Sequence, residues 1–522
     1  MDPHRIRGVL ALTAAAGLLL TGCGAGDSGN SAADNSSYPT GRPAPAPGYG
    51  NGGGTGGTGE QKNGDDSDSE SREFAPAPDY LSTFALDVDT ASYGYARRTL
   101  AEGRLPDPST VRPEEFVNSF RQDYDRPDGN GFSVSVDGAR TEREDWSLVR
   151  VGLATRSAAD TGERPPAALT FVIDISGSMA EPGRLDLAKK SLGVMTDRLR
   201  DDDSVAIVTF SDEAERVLPM TRLGDHRDEV HDAIDSLEPT DSTNLGAGVE
   251  TGYETAEDGL REGATNRVVL VSDALANTGD TDADTILERI ASERREHGIT
   301  LFGVGVGSDY GDALMERLAD KGDGHTAYVS TDEEAREVFC EDLPRNIDLT
   351  ARDAKAQIAF DPATVSEFRL IGYDDRQVAD EDFRDDSVDG GEVGPGHTVT
   401  ALYAVRTKPG TEGHLATASV RWLDPRTRAP HEESGRLESG SLQDSVWSAS
   451  TRFQVTATAA YFADALRLGD DRWSALPGSS HLGELAEHAD ELASTTEDKD
   501  VRDLADAIHR AGDLTGRDRA VS

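Results

Sequence analysis

The sequence predicts an α/β fold: a doubly wound, mostly parallel sheet that is flanked by or inserted in a β-rich domain and ends in a helical segment. Three observations lead to this prediction. From about residue 165 to about residue 345, apolar runs of strand length alternate with apolar residues at helical spacing. This pattern is typical of strand-helix-strand crossover units. On both sides of that block, polar and apolar residues alternate with period two. Helical spacing returns near the end of the chain.

The central block is predicted element by element from its apolar residues. Because parallel strands covered by helices on both faces are apolar throughout, continuous apolar runs mark the strands. These runs are 169–174, 205–210, 266–272 and 299–304. Apolar residues three or four positions apart mark helices within 185–199, 230–237 and 286–290.

The stretches outside the block alternate like half-exposed strands. They are 132–136, 146–153, 356–360, 397–405 and 415–422. Because strands from both sides could pair with one another, the block would then be an insertion in a β-rich domain. After them, apolar residues recur on one helical face within 482–492 and 501–511.

The amino-terminal residues predict export and anchoring. A short basic region precedes an apolar run, 9–20, that is too short to span a bilayer. The run ends in Leu20-Thr21-Gly22-Cys23, which resembles the bacterial lipobox, whose cysteine is the lipidated first residue once the signal peptide has been cleaved. An ordinary signal peptide with a chance cysteine is the alternative.

The predicted organisation has five parts. Residues 24–78 are rich in Gly, Ser, Asn, Pro and Asp, a composition typical of a disordered linker. The parts are a lipoprotein signal peptide (1–23), the linker (24–78), an amino-terminal extension that is part of the β-rich domain (79–164), the α/β domain (165–345) and a carboxyl-terminal domain that is β-rich and then helical (346–522).

The charge of the chain restricts its partners. The 522 residues include 52 Lys and Arg against 98 Asp and Glu, a formal net charge of -46. Non-specific nucleic-acid binding needs a basic surface, and an anionic membrane surface repels an acidic protein. The composition therefore favours an acidic body that binds cations or basic partners.

Oxygen-bearing side chains follow the predicted strands. Asp174, Ser176 and Ser178 alternate after the first strand, Thr243 lies between two helical stretches, and Asp273 ends the third strand. Ligands of open α/β sheets bind outside the carboxyl ends of strands, so we expect these residues to converge. Two carboxylates and three hydroxyls favour Mg²⁺ or Mn²⁺, with Ca²⁺ a weaker fit, over zinc. Taken singly, each residue could instead cap a helix or a turn.

These five residues resemble the metal-ion-dependent adhesion site of von Willebrand factor type A domains. The resemblance implies that Ser176, Ser178 and Thr243 coordinate the ion directly, while Asp174 and Asp273 often act through water. The sequence departs from the family at the third loop, which commonly reads Asp-Gly and here reads Asp273-Ala274. The stretches 84–93, 111–118, 368–373 and 396–403 resemble the bacterial YfbK-like lipoprotein subfamily.

The resemblance implies a binding protein and not an enzyme. We expect a lipoprotein on the extracytoplasmic face of the cell membrane, attached through Cys23. It would bind an unidentified protein partner through the divalent cation and an Asp or Glu carboxylate of that partner, and no nucleic acid. Two alternatives remain open: an envelope assembly or structural factor with a structural ion, and a metal-dependent phosphoryl hydrolase that uses Asp174.

Three other patterns have simpler interpretations. Asp87-Val-Asp89-Thr90 resembles the start of a phosphatase motif, but Ala91 stands where that motif has Thr or Val. A strand end and a turn before a helix is therefore the favoured interpretation. The alternating glycines of 303–307 lie on a late strand, where small residues would pack under a helix. Cys340 is expected to be a small buried hydrophobe.

Overall fold

A computed structural model of the chain describes residues 80–86, 90–143, 145–156, 164–240, 242–273, 280–307, 318, 326–343, 347–374, 376–386, 388, 390–468 and 476–521. The chain divides into two compact units, 1–69 and 70–522, and every described residue lies in the second. The predicted signal segment with Cys23 and the linker 24–78 lie outside the described residues.

The strands, in chain order, are β1 Leu81–Ala85, β2 Phe132–Arg140, β3 Trp146–Thr155, β4 Ala167–Asp174, β5 Ser204–Phe210, β6 Ala214–Arg222, β7 Thr265–Ser272, β8 Thr300–Val306, β9 Thr326–Val329, β10 Ala351–Phe360, β11 Val365–Leu370, β12 Gly391–Val393, β13 Thr398–Thr407, β14 His414–Leu423 and β15 Pro430–Glu438. The α-helices are α1 Ala91–Ala101, α2 Pro113–Asn118, α3 Leu185–Arg198, α4 Arg227–Asp235, α5 Leu245–Asp258, α6 Asp280–His297, α7 Asp332–Glu337, α8 Thr451–Leu468, α9 Leu482–Thr496 and α10 Lys499–Val521.

The central block is a six-stranded sheet in the order β6-β5-β4-β7-β8-β9. All neighbours are parallel except β6, which forms an antiparallel hairpin with β5 at the sheet edge. Every residue of β4, β5 and β8 is buried, as expected for strands covered on both faces. Helices α3, α4 and α7 contribute to the core on one face, and α5 and α6 to the core on the other. The predicted doubly wound, mostly parallel sheet is confirmed.

The flanking strands form two antiparallel sheets that share one core. One sheet has the order β1-β10-β14-β15, with β12 beside β10, and the other has the order β11-β13-β3-β2. Phe84, Val151, Phe360 and Tyr403 are among the residues that the two sheets bury together. Strand β3, before the central block, pairs with β13, after it, so the block is an insertion in this β-sandwich.

The prediction of half-exposed flanking strands is wrong for β3 and β13. All ten residues of β3 are buried, and so are seven consecutive residues of β13. Helices α1, α2 and α8–α10 cover the face of this sheet that turns away from the sandwich core, with Leu148 and Leu402 in the shared cluster. Strand β14, by contrast, alternates buried and half-buried residues over much of its length, as the sequence predicted.

Two further points concern single elements. Cys340 is a free cysteine and is buried, which matches the expected role as a small hydrophobe. No helix among the described residues combines the length and the apolar character needed to cross a bilayer.

Candidate metal centre

The parallel pairing of β4 and β7 brings two of the predicted residues to one edge of the sheet. Ile173 of β4 pairs with Val271 of β7, so Asp174 and Ser272 follow side by side. The Ser272 hydroxyl donates to Oδ2 of Asp174 at 2.6 Å. Asp273 comes next in the chain and is 7 % exposed. The loop that begins at the end of β4 and carries Asp174, Ser176 and Ser178 is the first loop, and the loop after β7 that begins with Asp273 is the third. A direct hydrogen bond between the buried side chains of Ser272 and Asp174 brings the two loops together.

The first loop turns back on itself around the Asp174 carboxylate. Oδ1 of Asp174 accepts a hydrogen bond from the backbone N–H of Ser176 at 2.8 Å. The hydroxyls of Ser176 and Ser178 lie 3.1 Å apart, and a single 3₁₀ turn runs over Gly177–Ala180. Ser176 is buried and Ser178 is half-buried. Three of the predicted ligands thus form one contiguous oxygen-rich loop.

The environment of Asp174 disfavours its charged form. Burial raises the pKa of Asp174, and the Asp273 carboxylate adds a smaller contribution in the same direction. Hydrogen bonds from Ser272 and Ser176 oppose this rise. An added cation would remove the electrostatic cost of ionising Asp174, since it would stabilise the carboxylate.

The second loop, which joins α4 to α5 and carries Thr243, is attached to the same edge of the sheet at both of its ends. The backbone N–H of Thr240 donates to the carbonyl of Ile175 at 2.6 Å, and that of Asn244 donates to the carbonyl of Ser211 at 2.5 Å. The Asn244 side chain also caps α5 by accepting from the Ala247 N–H at 3.1 Å. Thr243 lies between these attachments; it is exposed, and its side chain makes no hydrogen bond to any described residue.

A buried arginine that the sequence analysis did not single out lies at the third loop. Nη1 of Arg184 donates to Oδ2 of Asp273 at 2.5 Å, and Arg184 is 5 % exposed. In the sequence this residue only precedes the first apolar position of α3, and no spacing or motif marks it as buried. Its contact with Asp273 therefore could not be predicted from the sequence, because it depends on how the loops meet in the fold. Ala274, the predicted departure from the family, lies outside the described residues.

The residues present fit a hard divalent cation. The candidate donors are carboxylate and hydroxyl oxygens, with no imidazole or thiolate among the five predicted ligands. Direct hydrogen bonds link Asp174, Ser176 and Ser178 within the first loop and tie that loop to Ser272, next to Asp273. Thr243 lies on the second loop, which hydrogen bonds at Thr240 and Asn244 attach to the same edge of the sheet.

The remaining sequence patterns have structural explanations or lie outside the described residues. Asp87 and Asp89 are outside, whereas Thr90 directly precedes α1. Gly305 of β8 makes room for an aromatic ring: a Cβ there would lie 2.2 Å from ring atoms of Tyr328 on β9. The small residue thus packs against a neighbouring strand. The expectation that it packs under a helix is wrong for this glycine.

Three family models match the chain in consecutive segments. The von Willebrand factor type A domain model matches residues 168–341. The model described as "Uncharacterized protein YfbK, C-terminal" matches residues 346–509, and a von Willebrand factor model matches residues 65–149. Members of the type A family often depend on a metal ion and mediate protein interactions.

A relative that matches over most of both chains decides the family. The protein YfbK of Escherichia coli (strain K12) is 36% identical over 415 residues, which cover 75% of this chain and 72% of the relative. The chain belongs to the YfbK-like family of von Willebrand factor type A proteins. The resemblance inferred from the sequence is thereby confirmed.

More distant relatives share only part of this YfbK-like chain. The Synechocystis protein sll0103 is 27% identical over 39% of the chain and 47% of its own length. The human inter-alpha-trypsin inhibitor heavy chain H3 is 26% identical over 33% of the chain and 20% of its own length.

Solved structures overlap with the YfbK-like chain at low identity. A von Willebrand factor type A protein from Catenulispora acidiphila is 16% identical, covers 73% of this chain and 91% of its own, and has a TM-score of 0.46. The ArnB paralog VWA2 from Sulfolobus acidocaldarius is 15% identical, covers 73% of this chain and 98% of its own, and has a TM-score of 0.38.

Proposed function

We propose that this protein is a lipid-anchored, extracytoplasmic binding protein whose adhesion-type metal site captures an acidic group of a protein partner. The site comprises Asp174, Ser176, Ser178, Thr243 and Asp273 and takes Mg²⁺ or Mn²⁺. The observation that carries the proposal is the hydrogen bond from Ser272 to Asp174, because it joins the first and third loops at one edge of the sheet.

The side chains would act together by holding the cation while leaving one of its coordination positions to a partner. When bound, the cation supplies a positive centre with a coordination position that a partner carboxylate oxygen can fill. Ser176, Ser178 and Thr243 offer neutral hydroxyls, so they add no negative charge to that of Asp174 and Asp273. Ser272 and the Ser176 N–H fix the orientation of Asp174. The exposure of Thr243 keeps that side of the site open to a partner.

The same contacts make an enzymatic role less suitable. A phosphoryl hydrolase would need Asp174 as a nucleophile with an oxygen free to attack. Asp174 is 0 % exposed, and both of its carboxylate oxygens accept hydrogen bonds. We therefore propose a binding module and not a catalyst.

Attachment to the membrane is proposed from the sequence. Cys23 would carry the lipid, and the linker 24–78 would separate the folded body from the bilayer. A flexible linker of that length has a root-mean-square span of roughly 40 Å. Such a span allows the metal site to reach partners beyond the lipid surface.

The test is capture of a partner from envelope extracts with and without free divalent metal. The lipidated full-length protein should retain a partner in Mg²⁺ and lose it in EDTA. Thr243→Ala should lose the partner with little change in thermal stability, while Thr495→Ala, an exposed threonine of α9, should behave like the wild type. A partner that binds equally well in EDTA would contradict the proposal. Equal losses of binding and stability in Thr243→Ala would indicate a structural ion.

A further inference from the structure

Arg184 connects the loops of the candidate metal site through its guanidinium group. The group donates to Oδ2 of Asp273 at 2.5 Å and to the backbone carbonyl of Ser178 at 3.2 Å. It also pairs with Oε2 of Glu181 at 2.9 Å. The Arg184 side chain is 6 % exposed, whereas the Glu181 side chain is 66 % exposed. Arg184 thus ties the first loop to the carboxylate of the third loop.

The backbone after β8 leaves room for this side chain. Gly307 has a φ of +103°, and a Cβ at that position would lie 3.1 Å from Nε of Arg184. A side chain at residue 307 would therefore be strained by its own backbone and would crowd the guanidinium. Three segments of the chain therefore hold the Arg184 side chain: the first loop, Asp273 and the backbone at Gly307.

The buried guanidinium changes the charge that a cation would meet. Asp174 and Asp273 are both buried, and Arg184 contacts the second of them directly. With both carboxylates ionised, these three groups carry a formal charge of -1, where the carboxylates alone would carry -2. The guanidinium thus offsets part of the negative charge that would attract a cation.

We propose that Arg184 lowers the affinity of the site for its divalent cation and positions Asp273. Its charge opposes that of the incoming cation, and its hydrogen bonds hold Asp273 in place when no cation is bound. The inference rests on the proposed function, since it concerns the same site. It assigns to Arg184 a positioning and affinity-setting role and not coordination.

The two effects of Arg184 predict opposite changes on its removal. Repulsion between a divalent cation and a guanidinium within the same buried site lowers affinity by an amount that falls with distance and local dielectric. Removing the charge should therefore tighten metal binding. Removing the hydrogen bonds leaves Asp273 buried without its cationic partner, so the metal-free protein should lose stability. A residue with a purely structural role would weaken both properties together.

The experiment measures Mn²⁺ binding and metal-free stability in three full-length variants. Free Mn²⁺ is followed by electron paramagnetic resonance during titration, and thermal unfolding is followed in EDTA. Arg184→Gln should bind Mn²⁺ about tenfold more tightly than the wild type and unfold at a lower temperature in EDTA. Arg184→Lys keeps the charge but not the forked contacts, so its Mn²⁺ affinity should stay within about threefold of the wild type.

Arg200→Gln is the matched control for loss of one positive charge. Arg200 is exposed and hydrogen-bonds to the Arg164 carbonyl near the amino ends of the strands, away from the site. It should match the wild type in both measurements. Unchanged or weaker Mn²⁺ binding by Arg184→Gln would overturn the inference. So would a change of more than about threefold in Arg184→Lys, which serves if Arg184→Gln does not fold. Absence of Mn²⁺ binding in the wild type itself would instead overturn the proposed function.

Discussion

The carboxyl group of Asp174 is held in a position that costs stability when no cation is present. Both of its oxygens are hydrogen-bonded, yet burial still raises its pKa. Functional sites often contain groups whose environment opposes their charged state, because the ligand later compensates for it. If the site binds a cation as proposed, Asp174 would therefore link the stability of the metal-free protein to the binding of metal.

Replacing Asp174 should separate stability from metal binding. Asp174→Asn removes the buried charge while an amide can still pair with Ser272 and the Ser176 N–H. We expect a higher unfolding temperature than the wild type in EDTA at pH 7, together with at least a tenfold loss of Mn²⁺ affinity. Thermal melts and metal titrations measure the two effects. A variant that is less stable in EDTA and binds Mn²⁺ normally would show that Asp174 has only a structural role.

The pH dependence of the empty protein should have a definite sign. Because the folded-state pKa of Asp174 is raised, folded protein holds this proton more tightly than unfolded protein. The contribution of Asp174 to the free energy of unfolding should therefore fall as pH rises from the ordinary aspartate value through the raised folded value. Urea unfolding of the wild type minus that of Asp174→Asn, measured across acidic pH in EDTA, isolates this contribution. A difference that does not change with pH would contradict the assignment.

At the scale of single elements, α5 positions the second loop. The helix begins immediately after Asn244, and it packs so closely on the sheet that a Cβ on Gly248 would lie 2.6 Å from ring atoms of Phe210. Gly252 shows the same close approach, with Val172 at 2.3 Å. These glycines let the helix axis come near the strands, and the start of the helix fixes the loop that carries Thr243.

Enlarging Gly248 should push α5 away from the sheet. Overpacking of this kind typically costs about 1–3 kcal/mol, so Gly248→Ala should lower the free energy of unfolding by that amount. It should also weaken Mn²⁺ binding, since the second loop moves with the helix. Gly193→Ala on α3 is the control: the nearest atom to its Cβ is 3.7 Å away, and alanine favours helices by up to about 1 kcal/mol. Equal stability of the two variants would show that α5 can shift without cost.

The elements also show what a sequence can and cannot reveal. The approach of the first and third loops could be predicted because Asp174 ends the apolar strand β4 and Asp273 directly follows β7, and strand ends have a fixed place in a parallel sheet. Arg184 could not, because its burial depends on Gly307, more than one hundred residues further along the chain. The burial of β3 was missed for a similar reason: the helices that cover it come mainly from the other end of the sequence.

At the scale of the whole molecule, a buried ion pair joins the inserted block to the sandwich. Nη2 of Arg267, on β7, lies 2.9 Å from Oε2 of Glu392, on β12, and their side chains are 0% and 3% exposed. Nearby, the Thr265 hydroxyl donates to the carbonyl of Ile347 at 2.8 Å. These contacts lie at the amino ends of the strands, opposite the candidate metal site.

Breaking this ion pair should destabilise the molecule strongly. Glu392→Ala removes the buried carboxylate that contacts Arg267, and breaking a buried ion pair typically costs about 3–5 kcal/mol. Chemical denaturation should show that loss. Glu102→Ala removes an exposed partner of Arg104 and should cost about 1 kcal/mol or less. A loss for Glu392→Ala no larger than that of the control would mean that the two parts hold together without the pair.

The insertion also determines how a mechanical load would cross the protein. The chain leaves the sandwich after β3 and returns to it before β10, and Arg156 and Asp348 on these two connections form an ion pair at 3.2 Å. A partner pulling at the metal edge would stretch the block along its strands, with both connections at the far end sharing the force. Hydrogen bonds between strands pulled lengthwise must fail together and not one after another, so the arrangement would suit the proposed function, in which the protein would bear tension between a lipid anchor and a bound partner.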